Sequence, residues 1–419
     1  MTLTDAAEFT KKAKYFVGIP VVVIFVVWAV ASMLRPQIDL PANYVTPDYM
    51  CGKIAPIDLT NIGMTSPRAT FSIETRSGAI PDLPRVVNVF EYIHEPSLTA
   101  LQEAQYIAEK LGFDKERYSR RSVTEYEWVD QMTYKTLTIE TGNMNFHLTT
   151  DFAQADISTG GSLPSEENAK TVASQYLQKT GLMTKDFRDG YQRSYKVRVT
   201  AGGEFEEAAS LSEAHLIRVD FFRQRDLITI APHLTGSQEF GALQQELEQQ
   251  KATKSPTGTA VKTYTTHIVG ESPIFGNISV YIGSSIPARP NEYPVYKIDY
   301  TNWIIDESPC GTYRLVSPQE AIRQIQEGNA RLMYLLPKGK DRIKTPIQQE
   351  VKRMMILDVS IVYLDLKTKQ SFMQPVFQIK GEAEFANGDF GEFFYYVPAI
   401  DYESIPDNAG IVPYSENSN

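Results

Sequence analysis

The sequence predicts an α+β protein: an N-terminal transmembrane helix, then tandem domains in which a helix packs on an antiparallel sheet. Three observations carry that expectation. Tyr15–Leu34 (YFVGIPVVVIFVVWAVASML) runs for 20 residues without a charge. Three later segments each show an apolar stripe at helical spacing, closed by glycine and followed by strand-like runs. The chain also holds 23 Tyr and 20 Phe, side chains that suit a half-buried pleated surface.

As a helix, the apolar run spans about 30 Å, the thickness of a bilayer's hydrocarbon core. Pro20 lies in its first third, where a membrane helix tolerates proline. Lys11, Lys12 and Lys14 precede the run and Arg35 stands alone after it. The positive-inside rule then leaves residues 1–14 in the cytoplasm, with the bilayer contacting residues 15–34 and the bulk of the chain extracytoplasmic. A cleaved signal peptide is the competing reading, because Ala29-Val30-Ala31 has the form of a cleavage site. A buried soluble helix is the third. Residues 35–66, rich in Pro, Asn, Asp and Thr, predict an extended stalk. The two cysteines, Cys51 and Cys310, fall on the expected exported side, where disulfides persist. Paired, they close a loop of about 260 residues, worth roughly 5 kcal/mol in the chain-entropy account. Unpaired, they are two separate buried thiols. Both readings stand at this point.

The first α+β domain is expected over 67–158. Its helix runs from Ser97 to Leu111, with strands at Glu125–Asp130, Thr133–Glu140 and Met144–Thr149. The second, 159–235, places a helix over Glu166–Thr180 and strands from Tyr195 and His215. Residues 236–263 are polar and read as a linker or insertion. The third domain, 264–402, opens its helix with a capping box: Ser317 as N-cap, Pro318 next, Glu320 three residues on. A hairpin from Ile356 to Phe385 follows. Its first arm puts Leu357, Val359, Ile361 and Tyr363 on one face. In the second arm, Pro375 marks an edge strand, a strand start or a bulge. Residues 403–419 read as a disordered tail.

A net charge of −10 argues against a broad nucleic-acid surface, which needs clustered Lys and Arg. The five histidines (His94, His147, His215, His233 and His267) show no helical zinc spacing and no cysteine cluster beside them. None accompanies a G-x-S-x-G elbow. His147 and His215 lie in strand-like runs and read as packing or sheet-surface positions. The acidic run Glu204–Glu213 lacks the alternating oxygen ligands of a calcium loop. Glu382 and Glu384 fall on the polar face of the hairpin, which explains them without acid–base work. The sequence therefore assigns no catalytic, cofactor-binding or metal residue and predicts a chain that is not an enzyme.

Glu320-Ala321 in the third helix, Val362-Tyr363 in the next strand and Pro375-Val376-Phe377 in the one after form a pattern over residues 311–400. It resembles the PepSY-like domains of exported bacterial regulators of the YycI and YpeB type. The resemblance implies one N-terminal membrane helix followed by cystatin-like modules that restrain or tune partners, including sensor kinases and peptidases, with no catalytic centre. The expected function is thus a single-pass, membrane-anchored bacterial envelope protein with a non-catalytic binding or regulatory region. Its expected partner is a membrane or envelope protein, not nucleic acid. An envelope hydrolase with an unrecognised site and a structural envelope component are the alternatives.

Overall fold

The computed structural model describes residues 46–93, 98–157, 161–230, 238–250, 253–254, 262–339, 341–343 and 350–410. Nineteen strands and five α-helices run through these described residues. The strands form two large sheets that share one strand, β10 (Leu216–Ile230).

The first sheet is antiparallel throughout. It begins as a meander of β4 (Tyr118–Arg120), β5 (Glu125–Asp130), β6 (Lys135–Glu140) and β7 (Asn145–Thr150). It continues through β14 (Val295–Tyr300), β13 (Ile278–Ile282), the first half of β10, β8 (Tyr191–Val199) and β9 (Phe205–Glu207). One face is apolar: Trp128, Leu137, Phe146, Leu148, Val219, Phe221, Val280 and Ile298 are all buried there. Small residues let the helices close on it: Ala104 and Ala108 of α1 (Ala100–Lys110), Ala169 and Ala173 of α2 (Glu166–Lys179). α3 (Lys185–Asp189) adds Phe187. The Ser165 hydroxyl caps α2 by accepting from Asn168 N–H.

The second sheet runs from the other half of β10 through β12 (Lys262–Val269), β17 (Val351–Leu364), β18 (Phe372–Phe385), β19 (Phe390–Pro398) and β16 (Arg331–Pro337) to β1 (Met64–Thr65). β17 lies parallel to both β12 and β2 (Thr70–Ile73), which makes this sheet mixed. Across its core, β3 (Val86–Glu91) pairs with β15 (Gly311–Arg314) and meets the start of β18. Phe90, Tyr313, Tyr363, Phe377 and Tyr395 fill the interior. Leu243 and Leu247 of α4 (Gln238–Gln249) join them, as do Ala321, Ile322 and Ile325 of α5 (Pro318–Gln326). The Ser317 side chain accepts from Glu320 N–H, as its capping box requires.

From residue 46 on, the stretch expected as a stalk is strapped along the second sheet. Cys51 and Cys310 are joined in a disulfide with their Cα atoms 5.2 Å apart. Tyr49 N–H donates to the Thr312 carbonyl at 3.1 Å, and Gln374 Nε2 to the Ala55 carbonyl at 2.9 Å. Ile57 and Leu59 pack on Val362, Leu364 and Val376. Part of the expected tail docks as well: Tyr402–Ser404 makes a 3-10 turn and Ile405 is buried in the main core.

Two expectations are corrected. The tandem helix-on-sheet, cystatin-like plan gives way to a large mixed β architecture with helices as a minor part. The reason is burial on both faces: β10 opens with eight consecutive buried residues, Leu216–Arg223, which a helix on one side cannot cover. Strands expected in separate domains complete a common sheet, as β7 and β14 do. The second correction concerns the membrane. Residues 1–14 and the segment Tyr15–Leu34 lie outside the described residues, and among the described residues no helix is long and apolar enough to cross a bilayer. The longest, α2, has 14 residues and so spans about 21 Å of the roughly 30 Å required. The transmembrane helix, the signal-anchor reading and the single-pass localisation are withdrawn.

The hairpin keeps its expected core face for Val359, Ile361 and Tyr363, but a bulge between Ile356 and Asp358 turns Leu357 outward, 40% exposed. Pro375 pairs with Tyr363 near the start of β18. Its carbonyl accepts from Ala399 N–H, one residue past the end of β19, so its missing N–H falls where the ladder has already finished.

Candidate functional site

The heptapeptide LIRVDFF in β10 places two charges in an otherwise apolar strand. Since Ile217, Val219 and Phe221 face the helices, Arg218 and Asp220 project from the opposite face. Cross-strand register extends that polar face into a row over eight strands. In order it reads Ser119, Glu127, Thr138, His147, Asp299, Ser279, Asp220 and Arg193. A second row beside it holds Lys297, Tyr281, Arg218 and Tyr195.

Arg218, only 5% exposed, donates from Nε to Asp220 at 2.7 Å and from Nη2 to Ser279 Oγ at 2.8 Å. Its guanidinium lies 3.8 Å from the Phe275 ring centroid, a cation–π contact. Burial pushes the Asp220 carboxyl up, against the pull of the Arg218 charge. Asp299 accepts from His147 Nδ1 at 3.0 Å and from Lys297 Nζ at 2.8 Å. Burial works to raise its carboxyl, but the His147 bond and the Lys297 charge outweigh it and hold the group down to about 2.

This middle of the row forms one wall of a cleft of about 530 Å³. The facing wall comes from Met333 and Tyr334 of β16, from Asp365 and Lys367 beyond β17, and from the loop Gly270–Asn277. Tyr195 OH pins that loop by donating to the Ile274 carbonyl at 3.1 Å. Gly276 presses against β10 so closely that a Cβ there would stand 2.5 Å from the Phe221 carbonyl oxygen and 2.8 Å from its nitrogen. Gly276→Val is therefore expected to cost about 1–3 kcal/mol, an overpacking penalty, measurable by urea unfolding.

Behind the cleft, where β10 passes from one sheet to the other, lies a buried ionic network. Arg223 donates to Asp186 at 3.0 Å and to Asp365 at 3.2 Å, and Arg225 donates to Asp186 at 3.2 Å. Tyr92 OH donates to Asp365 at 3.0 Å. Burial pushes Asp365 up to about 6, with the Arg223 charge and the Tyr92 bond pulling the other way.

Of the residues weighed from sequence, His147 reaches the cleft, while His215 lies exposed just ahead of β10 and its Nδ1 accepts from Val199 N–H at 3.1 Å. His267 stacks edge-on against Tyr191 at 4.4 Å, and burial lowers its imidazole to about 4. His94 and His233 lie outside the described residues. Glu382 and Glu384 pair with Lys338 and Lys352 on the exposed face of β18. Among the described residues, no group of three or more His, Cys, Asp or Glu is placed to hold a metal ion. Arg218, Ser279, Asp299 and Tyr334 were not singled out in the sequence. The only signal was the R-x-D pair inside an apolar strand.

The order along the row decides what chemistry it supports. A nucleophilic triad needs histidine between serine and carboxylate. Here Asp299 stands between His147 and Ser279, which puts those two strands roughly 10 Å apart at the usual spacing.

No family model and no curated protein matches this chain. Among solved structures, an uncharacterized protein from Eubacterium rectale ATCC 33656 is similar at 10% identity and a TM-score of 0.38, over 80% of this chain and 88% of that one. A score at that level carries no argument. The resemblance to PepSY-like and YycI-type domains is not borne out by these comparisons.

Proposed function

We propose that this chain is a non-catalytic binding protein, a regulatory module that takes its ligand into the cleft between the two sheets. The observation that supports the reading is the order His147, Asp299, Ser279 along the ladder, which gives the cleft acids and bases without a relay between them. Its volume, about 530 Å³, falls within the range of ligand pockets, and it mixes an apolar lining with a few polar groups. Charge pairs such as Arg218–Asp220 and Asp299–Lys297 hold the polar wall rigid, which favours recognition by a preformed surface.

A thermal-shift screen of short peptides and small organic acids tests this. A ligand is expected to raise the unfolding temperature of the wild type and to lose that effect in Thr301→Trp, which fills the cleft rim. Ester or peptide turnover that disappears in His147→Ala would overturn the reading in favour of a hydrolase.

A further inference from the structure

Resting on that reading of the cleft, we infer that its ligand carries a carboxylate next to an apolar group, with the carboxylate held by Arg218 and the apolar group against Ile274, Phe275 and Met333. The inference comes from an imbalance in hydrogen-bonding capacity. The acids that line the cleft each accept a hydrogen bond already, while Asp220, behind Arg218, keeps Oδ2 without a partner among the described residues. Asp299 accepts from His147 and Lys297, Glu271 from Lys367 N–H at 3.1 Å, and Asp365 from Tyr92 and Arg223.

The donors are not used up. A guanidinium carries five N–H groups, and Asp220, Ser279 and Tyr281 engage Arg218, which leaves donors over. Tyr334, 4% exposed, has a buried hydroxyl without a hydrogen-bond partner among the described residues. Lys367 adds an exposed ammonium at the rim. Unspent donors beside a fixed positive charge call for an anionic acceptor, and a planar carboxylate matches the guanidinium fork. The lining screens the Tyr334 hydroxyl from bulk water, so a ligand reaches it only as that lining moves. Tyr334 therefore reports a seated ligand and not a first encounter.

Two sources share this chemistry: the free C-terminus of a polypeptide ending in an apolar residue, and a small apolar acid. Calorimetric titration of the full chain separates them, using N-acetyl-Ala-Ala-Phe as the free acid, the same peptide as its C-terminal amide, and 3-phenylpropionate. The acid is expected to bind roughly 30-fold or more tighter than the amide, the scale of a lost charge-assisted bond. Tyr334→Phe should weaken the acid about 10-fold while leaving the unfolding temperature unchanged or higher, since it removes an unpaired buried hydroxyl. Arg218→Lys, which keeps the charge and loses the fork, should also weaken it.

Competition by 3-phenylpropionate at equal strength would identify the small-acid source, and tight binding by the peptide acid alone the polypeptide end. Either result supports the carboxylate. Equal affinity for acid and amide would overturn it and leave the cleft as a binding site. Binding of neither, with Thr301→Trp indistinguishable from wild type in every screen, would overturn both readings.

Discussion

Arg223→Met is expected to destabilise the protein by about 3–5 kcal/mol at pH 7.5, the usual result of stranding a buried charge. The side chain is 2% exposed and joins Asp186 of α3 to Asp365 beyond β17. Among the described residues, its removal leaves Asp365 with the Tyr92 hydroxyl and no cation in bonding range. The loss should depend on pH in a particular direction. Asp365 has its folded-state value raised to about 6 from an ordinary 3.8, so the folded protein holds this proton more tightly than the unfolded chain. The stability that comes from Asp365 is then fully present below pH 4 and is lost as pH rises through 6. Near pH 5 the group is neutral, there is less charge to strand, and the cost of Arg223→Met should shrink. Asp365→Asn should remove most of that pH dependence at a modest cost, because the amide can keep its oxygen toward Arg223 and turn its NH2 toward the Tyr92 hydroxyl, which can accept as well as donate. Urea unfolding of the three proteins between pH 4.5 and 8 checks this, and a loss in Arg223→Met that is constant over the range would contradict it.

Cys51→Ala combined with Cys310→Ala is expected to cost about 2–5 kcal/mol, toward the upper end because the closed loop is long. The disulfide spans 259 residues. Its effect should also be local. The strap from residue 46 to 63 is held by backbone bonds to Thr312, side-chain bonds from Gln374 and Arg331, and the packing of Ile57 and Leu59. These contacts are fewer than those of the β17–β18–β19 ladder, so the strap belongs to the low-stability end of the molecule. Limited proteolysis of the reduced or doubly substituted protein should cut first within residues 46–63 while the hairpin stays protected. Simultaneous loss of both regions would show that strap and sheet open as one unit.

The local parts of this fold were legible. The capping box at Ser317 is a chemical signal within four residues and α5 starts where it predicts, and α2 starts at Glu166, where its helix was expected. β5 occupies Glu125–Asp130 as its alternation indicates. What the sequence hides is pairing between distant segments. Nothing in Thr70–Ile73 announces that it will lie parallel to Arg353–Ile356, since a parallel partner leaves no turn residues to read. The candidate site was hidden for a related reason. Arg218 and Asp220 follow the alternation that normally marks a solvent-facing side, yet a second sheet covers that side and leaves them 5% and 0% exposed. Periodicity reports that the two faces differ, and says nothing about what lies against the polar one. His147 and Asp299 are 152 residues apart, a separation at which no spacing motif operates.

The strap also sets an order of assembly. Residues 46–65 are synthesised before the rest of the described chain, but their partners are Cys310, Thr312, Arg331, Leu332, Gln374 and Tyr402. Contacts of such long range are slow to form, because loop closure comes before any reward. A ribosome must therefore release most of the chain before its earliest described segment finds a home. Until then Ile57 and Leu59 have nothing to pack on, and the nascent protein must protect an apolar segment that the finished one covers.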